Sequence, residues 1–456
     1  MRATSILIGL VLAAAVAAVS VAAPAASPPP LFVLTGGGWG HGVGMSQWGA
    51  LGQAREGRTF EQILATYYPG TVLEPVAVSK VRVLLVAKAT SVRVTSAAPV
   101  RVRGADGTTT LLPAGTAAVD RRLRLAVEGK RVPLVGPLRI LPVAGAPLQL
   151  GDLLVRGELR VSLVGGALQV VNVLGLEAYL QGVVPGEMPK DWPAAALRAQ
   201  AVAARTYALA GLLEGQDYDL YADYRSQVYG GVAVESPATT RAVKTTRGLI
   251  LSFEGEPAQT LYFSSSGGRT ASALDVFGND LPYLAAVDDP WDAVPENPNH
   301  RWEPRVLTGK QLAIQLRLAS PVVDAAFVPG VEGSPATMRF TTKAGTVLEQ
   351  RITELRARLG LRSSSFRVGV LRLLRPAGDA VSGVKVALTG VARDVEDPVL
   401  ERRASDGSWA RTARVVPRAD GTFTVVVRPQ ATTTYRLTTA GLAGPSLTLT
   451  VTGAPE

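Results

Sequence analysis

The fold is decided by residues 179–209, which read YLQGVVPGEMPKDWPAAALRAQAVAARTYAL. The alanine-rich half predicts a helix from Pro193 to Leu213, with Asp191 as its N-cap and Pro193 in its first turn. One face of this helix carries small residues that permit close packing against a sheet. Those residues are Leu197, Ala201, Ala204 and Ala208.

The acidic residue of this stretch, Glu187, lies just before that helix. The run Val183–Pro189 contains two prolines and a glycine, and this composition predicts a bend. A carboxylate between prolines and next to a helix start is fixed in position, which suits a group that handles protons. The residues alone are equally compatible with an ordinary surface glutamate in a turn.

The composition sets the class of the protein. The 456 residues are 47% hydrophobic and 18% charged, which is typical of globular chains, and the length suggests about three domains or one large domain with appendages. The net charge of +10 comes from scattered basic residues. It suits an anionic setting such as a bacterial envelope, or a soluble basic protein. Without a basic run interleaved with aromatics, nucleic-acid binding is not indicated.

The first 26 residues predict export. Arg2 precedes an apolar run, Ile6–Val21, which is followed at residues 23–25 by the small residues typical of a cleavage site. This is the pattern of a secretory signal peptide, so we expect a secreted, envelope-associated protein with no membrane span after cleavage. The alternative is an uncleaved N-terminal anchor. The chain has no cysteine, which excludes disulfides and a lipid-bearing cysteine.

A glycine-rich segment follows at residues 36–49, GGGWGHGVGMSQWG. Its alternating glycines predict positive φ angles and close backbone approach. It lacks the residues of a phosphate loop or a dinucleotide fingerprint. His41, Ser46 and Gln47 between Trp39 and Trp48 would suit a sugar, which has an apolar face and a polar rim. A tightly packed turn with core tryptophans is the alternative reading.

Short periodic segments complete the chain. Thr59 is predicted to cap a helix over Phe60–Tyr68, which Pro69 and Gly70 end. Alternating apolar and polar residues from Val81 to about Val173 predict a strand-rich scaffold. Short strands with Pro, Gly and Asp turns return after Phe366 at the spacing of a β-sandwich.

Several long motifs stand out in the chain, namely GVVPGEMPKDWP at 182–193, ALRAQAVAARTYA at 196–208, SSSGGRT at 264–270, VDDP at 287–290 and LGLRSSSF at 359–366. They resemble the SpoIID/LytB family, which includes stage II sporulation protein D, a peptidoglycan lytic transglycosylase, and the LytB amidase enhancers. The resemblance covers about 31–75 and 155–368. In the usual family order the HGVGMSQ motif follows the LRSS strand, whereas here it comes first. The chain is therefore expected to be circularly rearranged, with residues 38–49 lying beside 363–366.

The resemblance implies a fold class and a domain organisation. We expect an α+β fold, a mixed, strand-rich SpoIID-like domain with a few helices, followed by a C-terminal all-β Ig-like sandwich. The expected domains are a signal peptide at 1–26, a SpoIID/LytB-like domain at 31–368 and the sandwich at 369–456. Within the SpoIID/LytB-like domain, residues 31–75 contain the rearranged glycine-rich motif and a helix. Residues 80–150 form a β-rich connecting segment, and residues 155–368 form the main catalytic region.

The resemblance also implies a chemistry. It assigns Glu187 as the general acid/base of an exported lytic transglycosylase that cleaves MurNAc–GlcNAc linkages with 1,6-anhydroMurNAc formation. Substrate contacts are expected from residues in three segments. They are His41, Ser46 and Gln47, then Gln200, Arg205 and Tyr207, and finally Ser265, Ser266, Gly267 and Gly268.

Other chemistries have less support. No base stands in a nucleophile-elbow pattern for a serine hydrolase, and two distant histidines, His41 and His300, do not suggest a metal centre. No cofactor or metal is expected, and His300 is assigned a structural role. The partners are peptidoglycan glycan strands. The alternative function is a non-catalytic glycan-binding enhancer of a cell-wall amidase, and a third is an envelope scaffold that works through its Ig-like tail.

Overall fold

The computed structural model describes residues 26–77, 80–213, 215–330 and 335–453. The chain forms two compact units. One is Phe32–Gly369, and the other is the described part of Val370–Glu456 with that of Met1–Leu31. The signal peptide predicted for 1–26 lies, apart from Ala26, outside the described residues. No helix within the described ranges has both the length and the apolar character needed to cross a membrane.

The fold class is strand-rich α+β, as expected, with about 40% strand and 21% helix. The helices are α1 Gln47–Arg55, α2 Phe60–Tyr67, α3 Leu176–Glu187, α4 Ala194–Ala210, α5 Pro237–Thr245, α6 Ala273–Phe277, α7 Gly309–Leu316 and α8 Ile352–Leu359. The first strands are β1 Leu31–Gly36, β2 Met45–Ser46, β3 Val72–Pro75, β4 Lys80–Ala89, β5 Ser91–Ser96, β6 Val100–Arg103, β7 Thr109–Leu112, β8 Gly115–Asp120, β9 Leu125–Val127, β10 Lys130–Val132, β11 Leu138–Pro142 and β12 Leu148–Leu150. They are followed by β13 Leu153–Val155, β14 Glu158–Val164, β15 Ala167–Gly175, β16 Leu220–Tyr221, β17 Leu249–Phe253, β18 Glu256–Pro257, β19 Tyr262–Phe263, β20 Arg305–Thr308, β21 Val322–Val328, β22 Thr337–Thr342 and β23 Val347–Arg351. The last are β24 Phe366–Leu374, β25 Ala380–Val381, β26 Val386–Arg393, β27 Val399–Arg403, β28 Trp409–Arg414, β29 Thr422–Val427, β30 Thr433–Thr439, β31 Leu442–Leu449 and β32 Val451–Thr452.

Two sheets form most of the scaffold of the larger unit. A seven-stranded sheet has the order β16-β4-β15-β14-β11-β6-β7, and a six-stranded sheet has the order β10-β9-β8-β5-β12-β13. Apolar residues at alternate positions of these strands point into one buried core, which α3 and α4 also line. The strands predicted between Val81 and Val173 therefore form the scaffold that their alternation indicated.

Helix α4 lies at the centre of the larger unit with two buried faces. Ala201, Ala204 and Ala208 pack into the core of the two sheets, whereas Leu197 and Val202 pack into a second core with α1 and α2. The predicted face was thus partly wrong, because Leu197 turns to the second core. Small side chains on both sides let the helix approach its neighbours closely.

The start of α4 also differs from the prediction. Its N-cap is Pro193, and no side chain caps it. Asp191 is exposed and precedes the helix by three residues, so the predicted cap is wrong. Tertiary packing of the buried alanines holds this helix start without a cap. By contrast, Thr59 caps α2 as predicted, in a capping box with Gln62, and that helix ends one residue earlier than expected.

The smaller unit consists of strands. β24 pairs with β26 through Val370–Leu374, and β26 pairs with β29. A second sheet has the order β28-β27-β30-β31. A side chain at Gly444 of β31 would meet Leu371 of β24 at 3.0 Å, so the two sheets pack face to face as in a sandwich.

Candidate active site

Glu187 is the last residue of α3, so the bend predicted over Val183–Pro189 is wrong. The helix continues through Pro185. A proline in a helix removes one N–H donor, and here the buried Val183 and Val184 compensate by fixing the last turn in the core. Pro189 then requires an extended residue before it, and Met188 has φ −128° and ψ 140°. The helix therefore ends at Glu187, with Met188 buried beside it.

The surroundings of Glu187 favour its neutral form. Burial raises the pKa of this carboxyl above its ordinary value. Hydrogen bonding from the Tyr262 side chain, the Val228 backbone and the Gln47 side chain opposes this in part. The C-terminal end of α3 carries the negative pole of the helix dipole, which also disfavours a carboxylate. The result is an acid whose proton is held more firmly than in water.

A close approach brings the Val228 backbone to Glu187. A side-chain carbon at Gly182 of α3 would lie 2.6 Å from the Tyr229 ring, so only glycine fits there. The Gly230 N–H donates to the Gly182 carbonyl at 2.9 Å. Together these contacts dock the segment 228–230 against the last two turns of α3.

Two predicted contact residues, Gln47 and Gln200, meet beside this acid. The Gln47 Nε2 donates to the Gln200 Oε1 over 3.4 Å, and both side chains are buried. The Gln200 Nε2 has no hydrogen-bond partner among the described residues. Tyr207 of α4 is close enough that the Glu187 charge raises the pKa of its phenol, although burial is the larger cause. The structure therefore brings Gln47, Gln200 and Tyr207 together around Glu187.

His41 is committed to the local fold. Its Nδ1 accepts from the Val43 N–H and its Nε2 donates to the Tyr262 carbonyl, both over 3.1 Å. Burial is the main reason that the pKa of this imidazole is lowered to about 4. The ring lies between Phe263 and Phe277. His41 thus supports the Tyr262 backbone, and the predicted sugar contact has no free ring nitrogen to use.

Ser46 and the loop of residues 264–270, called the serine loop below, surround a buried aspartate, Asp292. Its carboxylate accepts from the Ser46 and Ser265 hydroxyls, from two backbone N–H groups and from the His300 Nδ1, each over 3.0 Å. The two N–H groups belong to Ser266 and Gly267. His300 is thus structural, as expected. These polar groups hold the glycine-rich segment against the serine loop, which is a different task from the predicted substrate contact.

A second buried aspartate, Asp289, completes this network. It accepts from the Tyr67 and Ser266 hydroxyls over 2.8 Å each, and the Gly268 N–H donates to the Ser266 hydroxyl over 3.1 Å. Burial is the main reason that the pKa of Asp289 is raised to about 6. The network ties α2, the serine loop and the segment around 289–300 together.

Replacing Asp289 by asparagine should change how stability depends on pH. Between about pH 4 and 6 the folded state keeps a proton on Asp289 that the unfolded state has lost, so stability falls as pH rises through this window. A shift of this size corresponds to about 3 kcal/mol. We expect urea unfolding of wild type and Asp289→Asn to show free energies whose difference changes by that amount between pH 4 and 7. A constant difference would contradict this account of Asp289.

Arg205, predicted as a substrate contact, has no exposed side-chain surface. Its guanidinium makes a bidentate ion pair with Glu177 at 2.8 Å for each bond. It also donates to the Val243 and Leu249 carbonyls. Its donors are therefore used to join α3 and α4 to the segment 243–249.

Residues 38–49 were expected beside residues 363–366, and the structure brings the start of the glycine-rich segment, residues 37–40, beside residues 362–365. The Gly37 N–H donates to the Ser365 carbonyl, and the Gly40 N–H donates to the Arg362 carbonyl, both over 3.1 Å. The glycines at 38, 40, 42 and 44 all have positive φ, as predicted. The rest of the motif lies elsewhere, because β2 pairs with β19.

Sequence reasoning missed several residues of this region. Tyr262, Gln227 and Tyr179 form a chain of hydrogen bonds behind Glu187, with the Gln227 amide donating to Tyr262 over 3.0 Å and Tyr179 donating to Gln227 over 3.2 Å. Tyr262 and Asp289 lie within or beside quoted motifs, so their position was a usable signal. Asp292 and Gln227 carried no signal in the sequence.

Comparisons with known proteins place this region in a family. The model of the Stage II sporulation protein family, SpoIID, matches residues 164–253, which contain Glu187 and α4. An uncharacterized protein of Brachyspira hyodysenteriae is 42% identical over 121 residues, 26% of this chain and 33% of its own length. The Stage II sporulation protein D of Bacillus subtilis is 29% identical over 217 residues, 43% of this chain and 61% of its own.

A further relative carries a different name. The Amidase enhancer of Bacillus subtilis is 40% identical over 114 residues, which are 25% of this chain and 15% of its own length. The chain spans less than two thirds of the length of each of these relatives. Residues 164–253 therefore form a region that matches the SpoIID family, and the chain is similar to these sporulation and amidase-enhancer proteins over that region and its flanks.

Proposed function

We propose that this protein is an exported lytic transglycosylase that cleaves MurNAc–GlcNAc linkages in peptidoglycan. The observation that supports this most is the raised pKa of Glu187, which burial produces at the end of α3. A carboxyl that begins protonated can donate to the leaving glycosidic oxygen. The family match and the name of the sporulation relative are consistent with a function related to the cell wall.

The proposed reaction needs one carboxyl. Glu187 donates its proton to the glycosidic oxygen as the bond from that oxygen to C1 breaks. The C6 hydroxyl oxygen of the same muramyl sugar forms a bond to C1, and its proton passes to Glu187, which restores the acid. Because the nucleophile belongs to the same sugar, its effective concentration is high without a second carboxylate to activate water.

The neighbouring polar groups are proposed to hold the sugar. The Gln200 Nε2 is a buried donor without a partner among the described residues, so a ligand oxygen would satisfy it. Gln47 lies next to Gln200, and both Gln47 and Tyr207 lie close to Glu187. We narrow the substrate contacts expected in this cluster to Gln47, Gln200 and Tyr207.

Tyr262→Phe should shift the pH profile of cleavage. The hydrogen bond from Tyr262 stabilises the charged form of Glu187, so its loss raises the pKa of the acid further. Activity requires the protonated acid and declines above this pKa. We therefore expect the alkaline limb of kcat/KM to move up by about one pH unit.

The matched control for this experiment is Tyr283→Phe. It removes a hydroxyl that accepts from the Gln259 N–H and keeps the ring, which lies in the second core. Its profile should coincide with that of the wild type. An alkaline limb of Tyr262→Phe that stays in place or moves to lower pH would count against the assignment of Glu187.

The second candidate function is that of a non-catalytic glycan-binding enhancer of a cell-wall amidase. The relative named Amidase enhancer favours it. Such a protein would bind glycan through the same cluster, but ionisation of Glu187 would not matter. Purified protein that leaves glycan intact but accelerates an added amidase, equally as wild type and Glu187→Gln, would support this function.

We propose that the two ends of the chain determine where the protein is located. The signal peptide would deliver the chain outside the cytoplasm. The C-terminal strands, for which we retain the Ig-like assignment, would act as a spacer or wall contact.

A further inference from the structure

A cavity of about 530 Å³ opens on the seven-stranded sheet. Its lining residues Arg103, Arg139 and Arg160 alternate along their strands with Val102, Ile140 and Leu159, which point into the main core. Because successive side chains of a strand point to opposite faces, the cavity lies on the sheet face that turns away from this core. Its volume is in the range of cavities that bind small ligands.

Three arginines form a row across this face. Arg139 of β11 is directly opposite Arg103 of β6 on one side and directly opposite Arg160 of β14 on the other. Like charges at directly opposed positions of a sheet are destabilising. Glu158 offsets the charges of Arg139 and Arg160, so the third arginine of the row, Arg103, leaves a positive charge that a ligand anion would balance.

The carboxylates nearby do not use all of these donors. Glu158 accepts from both Arg139 and Arg160, and Asp219 accepts from Arg82. Among the described residues, Arg103 has no hydrogen-bond or ion-pair partner, and its side chain is exposed. The lining and its ion-pair partners thus carry four guanidinium groups and three carboxylates, a net charge of +1. The groups are Arg82, Arg103, Arg139 and Arg160 against Asp217, Asp219 and Glu158.

Uncharged polar groups line the same cavity. Gln169 is only 8% exposed, and its Oε1 is buried without a hydrogen-bond partner among the described residues. A buried acceptor left unpaired costs free energy, which a hydroxyl donor would recover. The Ser162 hydroxyl is on the neighbouring strand β14 and also lines the cavity. The cavity thus offers guanidinium donors beside groups suited to hydroxyls.

We propose that this cavity binds an oxyanion, a phosphate or a carboxylate, on a ligand that also carries hydroxyl groups. Arg103 and the free donors of Arg160 contact the anion, and Gln169 accepts from a hydroxyl. A guanidinium group forms paired hydrogen bonds with a phosphate as well as with a carboxylate, so the same arginines could bind either anion. The site is on the sheet face that turns away from the core lined by α3, the helix that carries Glu187, and it is independent of the proposed cleavage.

The test titrates the full chain with glycerol 3-phosphate and, separately, with glucuronate by calorimetry at low salt, with glycerol as the uncharged control. The variants are Arg103→Gln and the double variant Arg103→Gln/Arg160→Gln. Arg103 has no partner to lose, and Glu158 keeps Arg139 in the double variant, so both should fold. The matched control is Arg93→Gln, an exposed arginine of β5 in the other sheet.

We expect at least one of the two anions to bind and glycerol not to bind. The double variant should weaken binding at least about tenfold, Arg103→Gln by a smaller factor, and Arg93→Gln less than about twofold. Binding of one anion alone would identify whether the natural ligand carries phosphate or carboxylate. The proposal is overturned if neither anion binds at millimolar concentration, or if the double variant binds as tightly as the wild type.

Discussion

Replacing Glu187 by glutamine is expected to lower the rate of glycan cleavage about a thousandfold, because general acid–base catalysis contributes on the order of 10²–10⁴ to such reactions. An amide has nearly the same shape but can neither donate the proton to the leaving oxygen nor accept one from the C6 hydroxyl. The measurement is kcat/KM on purified glycan strands. Binding of the same strands should change far less than the rate.

The fold of Glu187→Gln should be intact. A partly buried amide is less costly than a carboxylate, so the midpoint of thermal unfolding should stay the same or rise. Glu256→Gln provides the control, since Glu256 is an exposed residue of β18 and its change should leave the rate unaltered. A rate for Glu187→Gln within a factor of about ten of the wild type would remove Glu187 from the chemistry.

Arg205→Met is expected to lower the free energy of unfolding by about 3–5 kcal/mol, the largest stability effect that we predict. The change leaves Glu177 almost buried with its bidentate partner gone, and it frees the Val243 and Leu249 carbonyls. A buried charge without a partner is strongly destabilising. Chemical denaturation at neutral pH measures the loss.

A second substitution separates the ion pair from the packing. In Glu177→Leu/Arg205→Met neither charge remains, so much of the lost stability should return. Arg198→Met on the same helix is the control, because Arg198 is partly exposed and has no ion pair among the described residues. If the double variant is no more stable than Arg205→Met, the ion pair is not what holds α3 to α4. Normal glycan binding by the double variant would further exclude Arg205 as a substrate contact.

Local patterns in the sequence predicted much of the fold. The N-cap at Thr59, the alternating strands after Val81 and the glycines with positive φ each depend on a few neighbouring residues, and the structure contains all three. That the glycine-rich segment approaches the segment before β24 followed from the resemblance, which compares motifs that lie far apart in the chain.

The errors concern residues whose role is set by tertiary contacts. Pro185 predicts a bend when it is read locally, yet the buried last turn of α3 keeps its helix intact. Arg205 and Ser265 were expected to contact substrate because they lie in motifs that resemble the family, whereas each pairs with a distant buried carboxylate. Asp292 gave no local signal, since its five donors come from segments that meet only in the fold.

The most direct test is the identity of the reaction product. Stem-peptide-free glycan strands are incubated with the purified wild-type chain, and the products are analysed by mass spectrometry. The account predicts fragments that end in 1,6-anhydroMurNAc, and their absence when Glu187→Gln is used. Fragments with ordinary reducing ends, or intact glycan with both proteins, would contradict it.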